Sequence, residues 1–121
     1  MSGGQVLNAA AIVGYAHSPV RRRGEVPLGA LTVATVLDAI TDAGLRPGDI
    51  DGFTTGSYLP SSGGQSIVDG RSIVTSAFVA QALGICPTFD SGFQGYGQLP
   101  GSVMLAVNAL AAGAAEYVVI H

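Results

Sequence analysis

The sequence predicts an α/β fold with a mainly parallel sheet. Short apolar runs that suit buried strands alternate with segments whose apolar residues recur at helical spacing, in the order βαβαβαβ. Glycine or proline stands at several of the junctions. Parallel strands need a crossover connection between them, usually a helix, so this alternation indicates a parallel sheet with crossover helices.

Strands are expected at four places. The first is the run AAAIVGY at 9–15, the second lies around 52–56, the third leads into 88–93, and the last is 117–121. The first and last runs are almost wholly apolar, which is typical of strands that are buried on both faces.

Three helices are expected between these strands. From Pro27 the apolar residues recur at spacings of three and four until Ala43 and Gly44, which predicts a helix of about four turns. A second helix is expected at 71–83 and a third, rich in small residues, at 98–113. Residues 57–70 are rich in serine and glycine, and we expect them to form a loop at an active site or an interface.

Composition excludes several classes of function. Hydrophobic residues make up 48% of the chain and charged residues 11%, against roughly 25% charged residues in ordinary soluble domains. We therefore expect further protein to cover some of its apolar faces. Five arginines and no lysine give no basic surface for nucleic acid. No apolar run is long enough to span a membrane and no basic leader precedes the first strand, which favours a cytoplasmic protein.

No metal site is expected from the sequence. Cys86 is the only cysteine, and His17 and His121 lie far from it and from each other along the chain. This pattern offers no recognisable spacing of metal ligands and no internal disulfide.

The most informative stretch is LGICPTFDSGFQGYGQLPGSVMLAVNALAAGAAEYVVIH at 83–121. It reads as strand, turn, helix and strand, and it resembles the nucleophile elbow of the thiolase superfamily. Phe89, Asp90, Ser91 and Gly92 match the C-x-S-G pattern of that elbow, with Phe89 in the place of the nucleophilic cysteine. Further matches follow at Ala106, Leu110, Gly113, Ala115, Glu116 and Val118.

The resemblance extends over nearly the whole sequence but over only about the first third of a thiolase-type subunit. It implies that residues 1–121 are the incomplete N-terminal portion of a thiolase-like domain with the layered αβαβα fold. No second domain is expected in this chain.

The functional interpretation depends on the absence of a cysteine at position 89, the position that matches the nucleophile of the elbow. Phe89 cannot form the covalent acyl-enzyme that thiolysis requires. The N–H groups of a helix opening can still stabilise a thioester enolate, and retro-aldol cleavage needs that stabilisation and a base but no acyl-enzyme. Among thiolase-like proteins without the elbow cysteine, the chain is most similar to the lipid-transfer-protein or sterol-carrier type, the aldolases of steroid side-chain degradation.

That resemblance implies a lyase subunit of lipid metabolism that cleaves a carbon–carbon bond of a β-hydroxyacyl-CoA. Coenzyme A would then be part of the substrate, with no tightly bound cofactor. The resemblance also implies a homodimer formed through the thiolase-like core and a small OB-fold (DUF35-type) partner. Arg21, Arg22 and Arg23 are candidates for contacts with the phosphates of coenzyme A, the alternative being a solvated loop.

Alternatives stay open at several residues. Asp90 is expected in the first turn of a helix, either as a cap or facing a pocket where it orients a base or a hydroxyl. Ser91 is expected to pack near the helix start, and no Ser-His-Asp arrangement is visible in the sequence. Cys86 is either a small buried hydrophobic residue or a displaced nucleophile. The whole chain is alternatively a non-catalytic subunit that binds acyl-CoA or scaffolds a partner, or a true acyl-CoA thiolase or acetyltransferase that uses Cys86.

Overall fold

The structure, a computed structural model, describes residues 10–21, 25–56, 68–92 and 97–121. In chain order these ranges contain α1 (Leu28–Asp42), a 3-10 turn (Pro47–Asp49), β1 (Gly52–Thr55), α2 (Ser76–Leu83), β2 (Phe89–Gly92), α3 (Gln98–Ala111) and β3 (Val118–Ile120). None of the helices in these ranges has the length and apolar character needed to cross a membrane.

The three strands form one parallel sheet in the order β2-β1-β3. β1 is the central strand, and each of its four residues is buried. Phe53 of β1 pairs with Asp90 of β2 on one side and with Val119 of β3 on the other. The predicted α/β class and the parallel sheet are therefore confirmed.

The two faces of the sheet pack against different helices. Phe53 points into a core formed with residues of α1, α2 and their connections: Val36, Ile40, Ile50, Val74, Val79, Ala80 and Ile85. Side chains alternate along a strand, so Gly52 lies on the opposite face. There a Cβ on Gly52 would lie 3.1 Å from the Cβ of Ala115. The buried residues of α3 are small, namely Gly101, Ser102, Ala106 and Ala109, and they let this helix approach the sheet closely.

The first helix has the predicted bounds. α1 begins after Pro27, whose fixed φ suits a helix start. It ends at Asp42, and Gly44 then takes a positive φ of 73°, a conformation that glycine adopts without strain. The N–H of Leu45 donates to the carbonyl of Ile40 at 3.1 Å, which closes the helix end.

The strand predicted at 9–15 is wrong for residues 10–15, which carry no regular structure, while residue 9 lies outside the described ranges. This segment contacts the end of α1. The Tyr15 N–H donates to Asp42 Oδ2 at 3.0 Å, and a Cβ on Gly14 would lie 2.5 Å from the Ala39 carbonyl oxygen. Ile12 is consequently 91% exposed.

The second helix begins later than predicted. α2 starts at Ser76 and not at Arg71, because Asp69 and Thr75 fix a turn before it. The carboxylate of Asp69 accepts hydrogen bonds from the Thr75 N–H and hydroxyl. The Thr75 hydroxyl oxygen in turn accepts from the N–H of Phe78 at 3.1 Å, a side-chain N-cap.

The end of the chain follows the prediction closely. α3 starts at the predicted Gln98 and ends at Ala111, two residues early, and β3 covers Val118–Ile120 within the predicted 117–121. Most of the predicted loop, residues 57–67, lies outside the described ranges.

Candidate functional site

The candidate site lies at the edge of the sheet where the three strands have their carboxyl ends. In a parallel sheet each crossover helix runs back against the strands, so the first turns of α1, α2 and α3 come to this edge. A cavity of about 300 Å³ opens there. The described residues that line it are Leu28, Thr32, Ser72, Ile73, Val74, Gln98 and His121. Ligands of open α/β sheets commonly bind at this position.

His121 follows β3 directly and is the titratable residue of this lining. Its N–H donates to the carbonyl of Thr54 at 3.1 Å, which continues the strand pairing to the edge. Its imidazole Nε2 lies 3.3 Å from Ser76 Oγ. The ring also meets the ring of Phe53 edge to face, with 6.4 Å between centroids. These contacts hold the imidazole against the sheet and the first turn of α2.

Burial lowers the pKa of His121 below its ordinary value of 6.5, and the negative charge of Asp90 raises it by a smaller amount. Desolvation disfavours the charged imidazolium. The neutral imidazole is therefore favoured near pH 7, the form that accepts a proton.

Gln98 is the first residue of α3, and its side-chain amide is not fully used. Its Nε2 is buried and has no hydrogen-bond partner among the described residues. Gly56 lets the start of α3 come this close to β1, because a Cβ on Gly56 would lie 3.0 Å from the Gln98 carbonyl oxygen. Buried donors are nearly always paired in folded proteins, so this amide is a candidate for ligand binding.

The four elbow residues lie on a strand. Phe89, Asp90, Ser91 and Gly92 form β2, and the next helix begins only at Gln98. The expectation that Asp90 occupies the first turn of a helix is therefore wrong. The cause is pairing with β1, which continues in register to the end of β2; residues 93–96 lie outside the described ranges.

The elbow side chains divide between the two faces of the sheet. Asp90 is exposed and shares a face with Phe53, on the side of His121. Phe89 and Ser91 are half-buried and lie on the face of α3. Phe89 is at the amino end of β2, where it lies beside Gly52. Phe89 therefore lies at the end of the sheet opposite the cavity.

A serine and a histidine do come together, which the sequence did not reveal, and the charge of Asp90 acts on the histidine. The serine is Ser76 and not Ser91, because Ser91 lies on the opposite face from His121. Ser76 is only 1% exposed. Its hydroxyl is therefore placed to orient the imidazole and not to attack a substrate.

Cys86 does not have its expected surroundings. It is exposed, which contradicts the first of its two alternatives, the small buried hydrophobic residue. The preceding Ile85 takes the buried position in the core cluster. Cys86 precedes β2 by three residues and so lies toward the amino edge of the sheet, away from His121.

The predicted coenzyme A contacts remain a prediction. Arg21 is described and exposed, while Arg22 and Arg23 lie outside the described ranges. Within those ranges no group of three or more histidine, cysteine, aspartate or glutamate side chains is arranged to hold a metal ion.

Two residues of the cavity, His121 and Gln98, were missed by sequence reasoning. The spacing of the histidines along the chain tests only a role as metal ligands. A usable signal was present nonetheless, since His121 is the first polar residue after an apolar strand, where side chains reach the carboxyl edge. The Gln98 amide nitrogen, which lacks a partner within the described ranges, has no counterpart in the sequence pattern.

Comparison with known proteins gives an informative likeness among solved structures. No family model and no curated protein matches the chain. Among solved structures, an Ltp2-ChsH2(DUF35) aldolase is similar, with 32% sequence identity and a TM-score of 0.74. The likeness covers 91% of this chain and 26% of the matched chain. This chain thus spans about a quarter of the length of the solved chain that it matches.

Proposed function

We propose that this chain is the N-terminal part of an aldolase subunit that cleaves a carbon–carbon bond of a β-hydroxyacyl-CoA. The observation that carries the proposal is the likeness to the Ltp2-ChsH2(DUF35) aldolase, which extends over 91% of the chain at 32% identity. The proposal places the chain in a thiolase-like subunit of lipid metabolism in the cytoplasm, with a steroid side chain as the acyl group.

The chemistry of the described residues supports a reaction without an acyl-enzyme. Phe89, which the resemblance matches to the nucleophilic cysteine, has no nucleophilic atom and lies at the end of the sheet opposite the cavity. Cys86 is placed toward the other edge of the sheet from the cavity. Retro-aldol cleavage needs only a base for the hydroxyl proton and donors for the enolate oxygen. In the first turn of α3, which begins at the cavity, the N–H groups of Gln98 and Leu99 are the candidates for such donors, because Pro100 has no N–H and the Gly101 N–H donates to the Gly97 carbonyl.

The proposal also includes partners. The matched structure is an aldolase of Ltp2 with ChsH2(DUF35). We therefore propose that the complete subunit works with a small DUF35-type partner and as a homodimer. The exposed apolar residues of α3, such as Leu99 at 67% and Met104 at 65%, favour cover by further protein. We propose that Arg21, Arg22 and Arg23 contact the phosphates of coenzyme A.

The test is an assay of the complete subunit expressed with its DUF35-type partner. Incubation with a β-hydroxyacyl-CoA that bears a steroid side chain should release a ketone or an aldehyde together with a shortened acyl-CoA, detected by mass spectrometry. The same protein given a β-ketoacyl-CoA and free coenzyme A should show no thiolysis. Thiolysis, or an acyl adduct within residues 86–91 by intact mass and peptide mapping, would contradict the proposal and favour a true thiolase.

A further inference from the structure

Two hydroxyl groups that line the cavity at the carboxyl edge already have partners within the protein. The Thr32 hydroxyl donates to the Leu28 carbonyl at 2.8 Å. The Ser72 hydroxyl accepts from the Val68 N–H at 2.9 Å and donates to the Val68 carbonyl at 3.2 Å. Each hydroxyl hydrogen is therefore used by the backbone, and neither remains as a donor to a ligand.

A donor that does remain is the side-chain amide of Gln98. Its Nε2 is buried and has no hydrogen-bond partner among the described residues, whereas the Nε2 of His121 is engaged with Ser76 at 3.3 Å. An amide nitrogen donates and does not accept, so the group that completes its pairing is an acceptor such as an oxygen. A buried donor without a partner costs free energy, which a bound acceptor would recover.

The described lining of the cavity favours an oxygen that carries no full charge. This lining includes no lysine, arginine, aspartate or glutamate. Burial lowers the pKa of His121 and so favours its neutral form, and the charge that acts on the ring is the negative one of Asp90. A carboxylate or a phosphate would lose its water here without gaining a cation, at a cost that a neutral carbonyl oxygen avoids.

We infer that Gln98 donates a hydrogen bond from Nε2 to the carbonyl oxygen of an acyl thioester bound in this cavity. The alkyl part of the acyl group then lies against the apolar lining residues Leu28, Ile73 and Val74. This inference rests on the proposed function, since it takes an acyl-CoA as the ligand. It makes Gln98 a specificity-determining residue, which distinguishes a thioester from a ligand without the carbonyl oxygen.

The backbone of Gln98 is held in place before a ligand binds. A Cβ on Gly56 would lie 2.8 Å from the Gln98 Cβ, so glycine at this position lets the start of α3 approach the residue that follows β1. The hydroxyl of the buried Ser102 donates to the Gln98 carbonyl at 2.9 Å. A donor on a fixed backbone loses less entropy when a ligand binds, which favours recognition of one oxygen position.

The test measures binding without turnover, on the complete subunit with its DUF35-type partner. Octanoyl-CoA carries the thioester carbonyl but no β-hydroxyl, and its S-octyl thioether analogue lacks that oxygen. In the wild type, isothermal titration calorimetry should give a Kd about tenfold lower for the thioester, because the thioether leaves the buried donor unpaired. In Gln98→Met, a substitution of similar size without a donor, the two Kd values should agree within about twofold.

Gln81→Met is the matched control. Gln81 lies on α2, is exposed and does not line the cavity, so this variant should keep the wild-type preference for the thioester. Gln98→Met leaves the backbone N–H groups of α3 in place, so a lost preference reports the side-chain amide. A Gln98→Met variant that keeps the wild-type preference, or a wild type without a preference, overturns the assignment.

A second measurement uses the wild type alone and does not depend on any variant folding. Octanoyl-CoA that is isotopically labelled at its carbonyl carbon should show, when bound, a lower C=O stretching frequency than a simple octanoyl thioester with the same label in hexane. The physical reason is that a donated hydrogen bond weakens the C=O bond. A bound carbonyl at the hexane frequency has no donor in the cavity and overturns the assignment.

Binding and turnover separate the role of Gln98 from the aldolase function. A subunit that shows the Gln98-dependent preference but cleaves no β-hydroxyacyl-CoA keeps Gln98 as the thioester contact and overturns the aldolase activity. A subunit that cleaves this substrate, with a preference that Gln98→Met leaves unchanged, overturns the assignment of Gln98 alone.

Discussion

The two edges of the same small sheet use their polar groups in opposite ways. At the amino edge both the side chain and the backbone of Asp51 form hydrogen bonds. Its carboxylate accepts from the N–H of Glu116 at 2.9 Å and from that of Tyr117 at 2.8 Å. Its backbone carbonyl accepts from the N–H groups of Thr88 and Phe89. At the carboxyl edge, by contrast, the Gln98 Nε2 has no hydrogen-bond partner among the described residues and lies beside a cavity.

This contrast separates structural polar groups from functional ones. Asp51 joins the segments that enter β2 and β3, so its hydrogen bonds set the register of the sheet. Gln98 and His121 contribute little to pairing through their side chains and leave capacity for a ligand. A polar residue whose bonds are all internal stabilises the fold, whereas one left unpaired beside a cavity is a candidate for function.

The largest effect on stability is expected from Asp51→Ala. The substitution leaves two backbone N–H groups without their carboxylate, and it should lower the free energy of unfolding by about 2–3 kcal/mol. Urea denaturation followed by circular dichroism measures this. Asp38→Asn, on the exposed side of α1, is the control and should change stability by less than about 0.5 kcal/mol. Equal stabilities for both variants would contradict the structural role of the amino edge.

A smaller loss of stability is expected from Gly56→Ala at the other edge. The new Cβ would lie 2.8 Å from the Gln98 Cβ and 3.0 Å from its carbonyl carbon and oxygen. The start of α3 must then move, at a cost of about 1–2 kcal/mol. The matched control is Gly48→Ala, whose Cβ meets nothing within 4 Å. Because Gln98 lines the cavity, Gly56→Ala should also weaken ligand binding. A variant with unchanged stability would show that the close approach is not required.

The smallest effect is a pH dependence of stability that His121 contributes. Its folded pKa is lowered, so the unfolded chain binds the proton more readily. The contribution to stability is therefore present above pH 6.5 and decreases as the pH falls below that value. The difference in unfolding free energy between wild type and His121→Gln, measured from pH 7 to pH 5, should become less favourable to the wild type. A constant difference would contradict the burial of a neutral imidazole.

Some helices and strands begin and end where residues close in sequence determine it, and these elements were predicted correctly. α1 follows from apolar spacing and from Gly44, and β3 from an apolar run. The start of α2 depends on the Asp69 and Thr75 hydrogen bonds, a six-residue link that periodicity does not report. The elbow was misplaced because a strand at Phe89–Gly92 depends on pairing with β1, far away in sequence.

The candidate site was predicted only in part for the same reason. The sequence singled out Asp90, and the structure places its charge near His121. The partners of His121 are Ser76, 45 residues away, and Thr54 on the central strand. Such neighbours are fixed by strand order and register, neither of which can be read from spacing along the chain.

The position of β1 also has a consequence for how the chain folds. β1 is central, yet both of its partners come later in sequence, and the bond from Asp51 to Tyr117 spans 66 residues. The sheet therefore cannot close until the last strand has been synthesised. Contacts of such high sequence separation slow folding, because the loop entropy is lost before the contacts compensate for it. The helices form from local contacts, so we expect them to precede the sheet, with the β3 side of β1 unpaired until β3 forms.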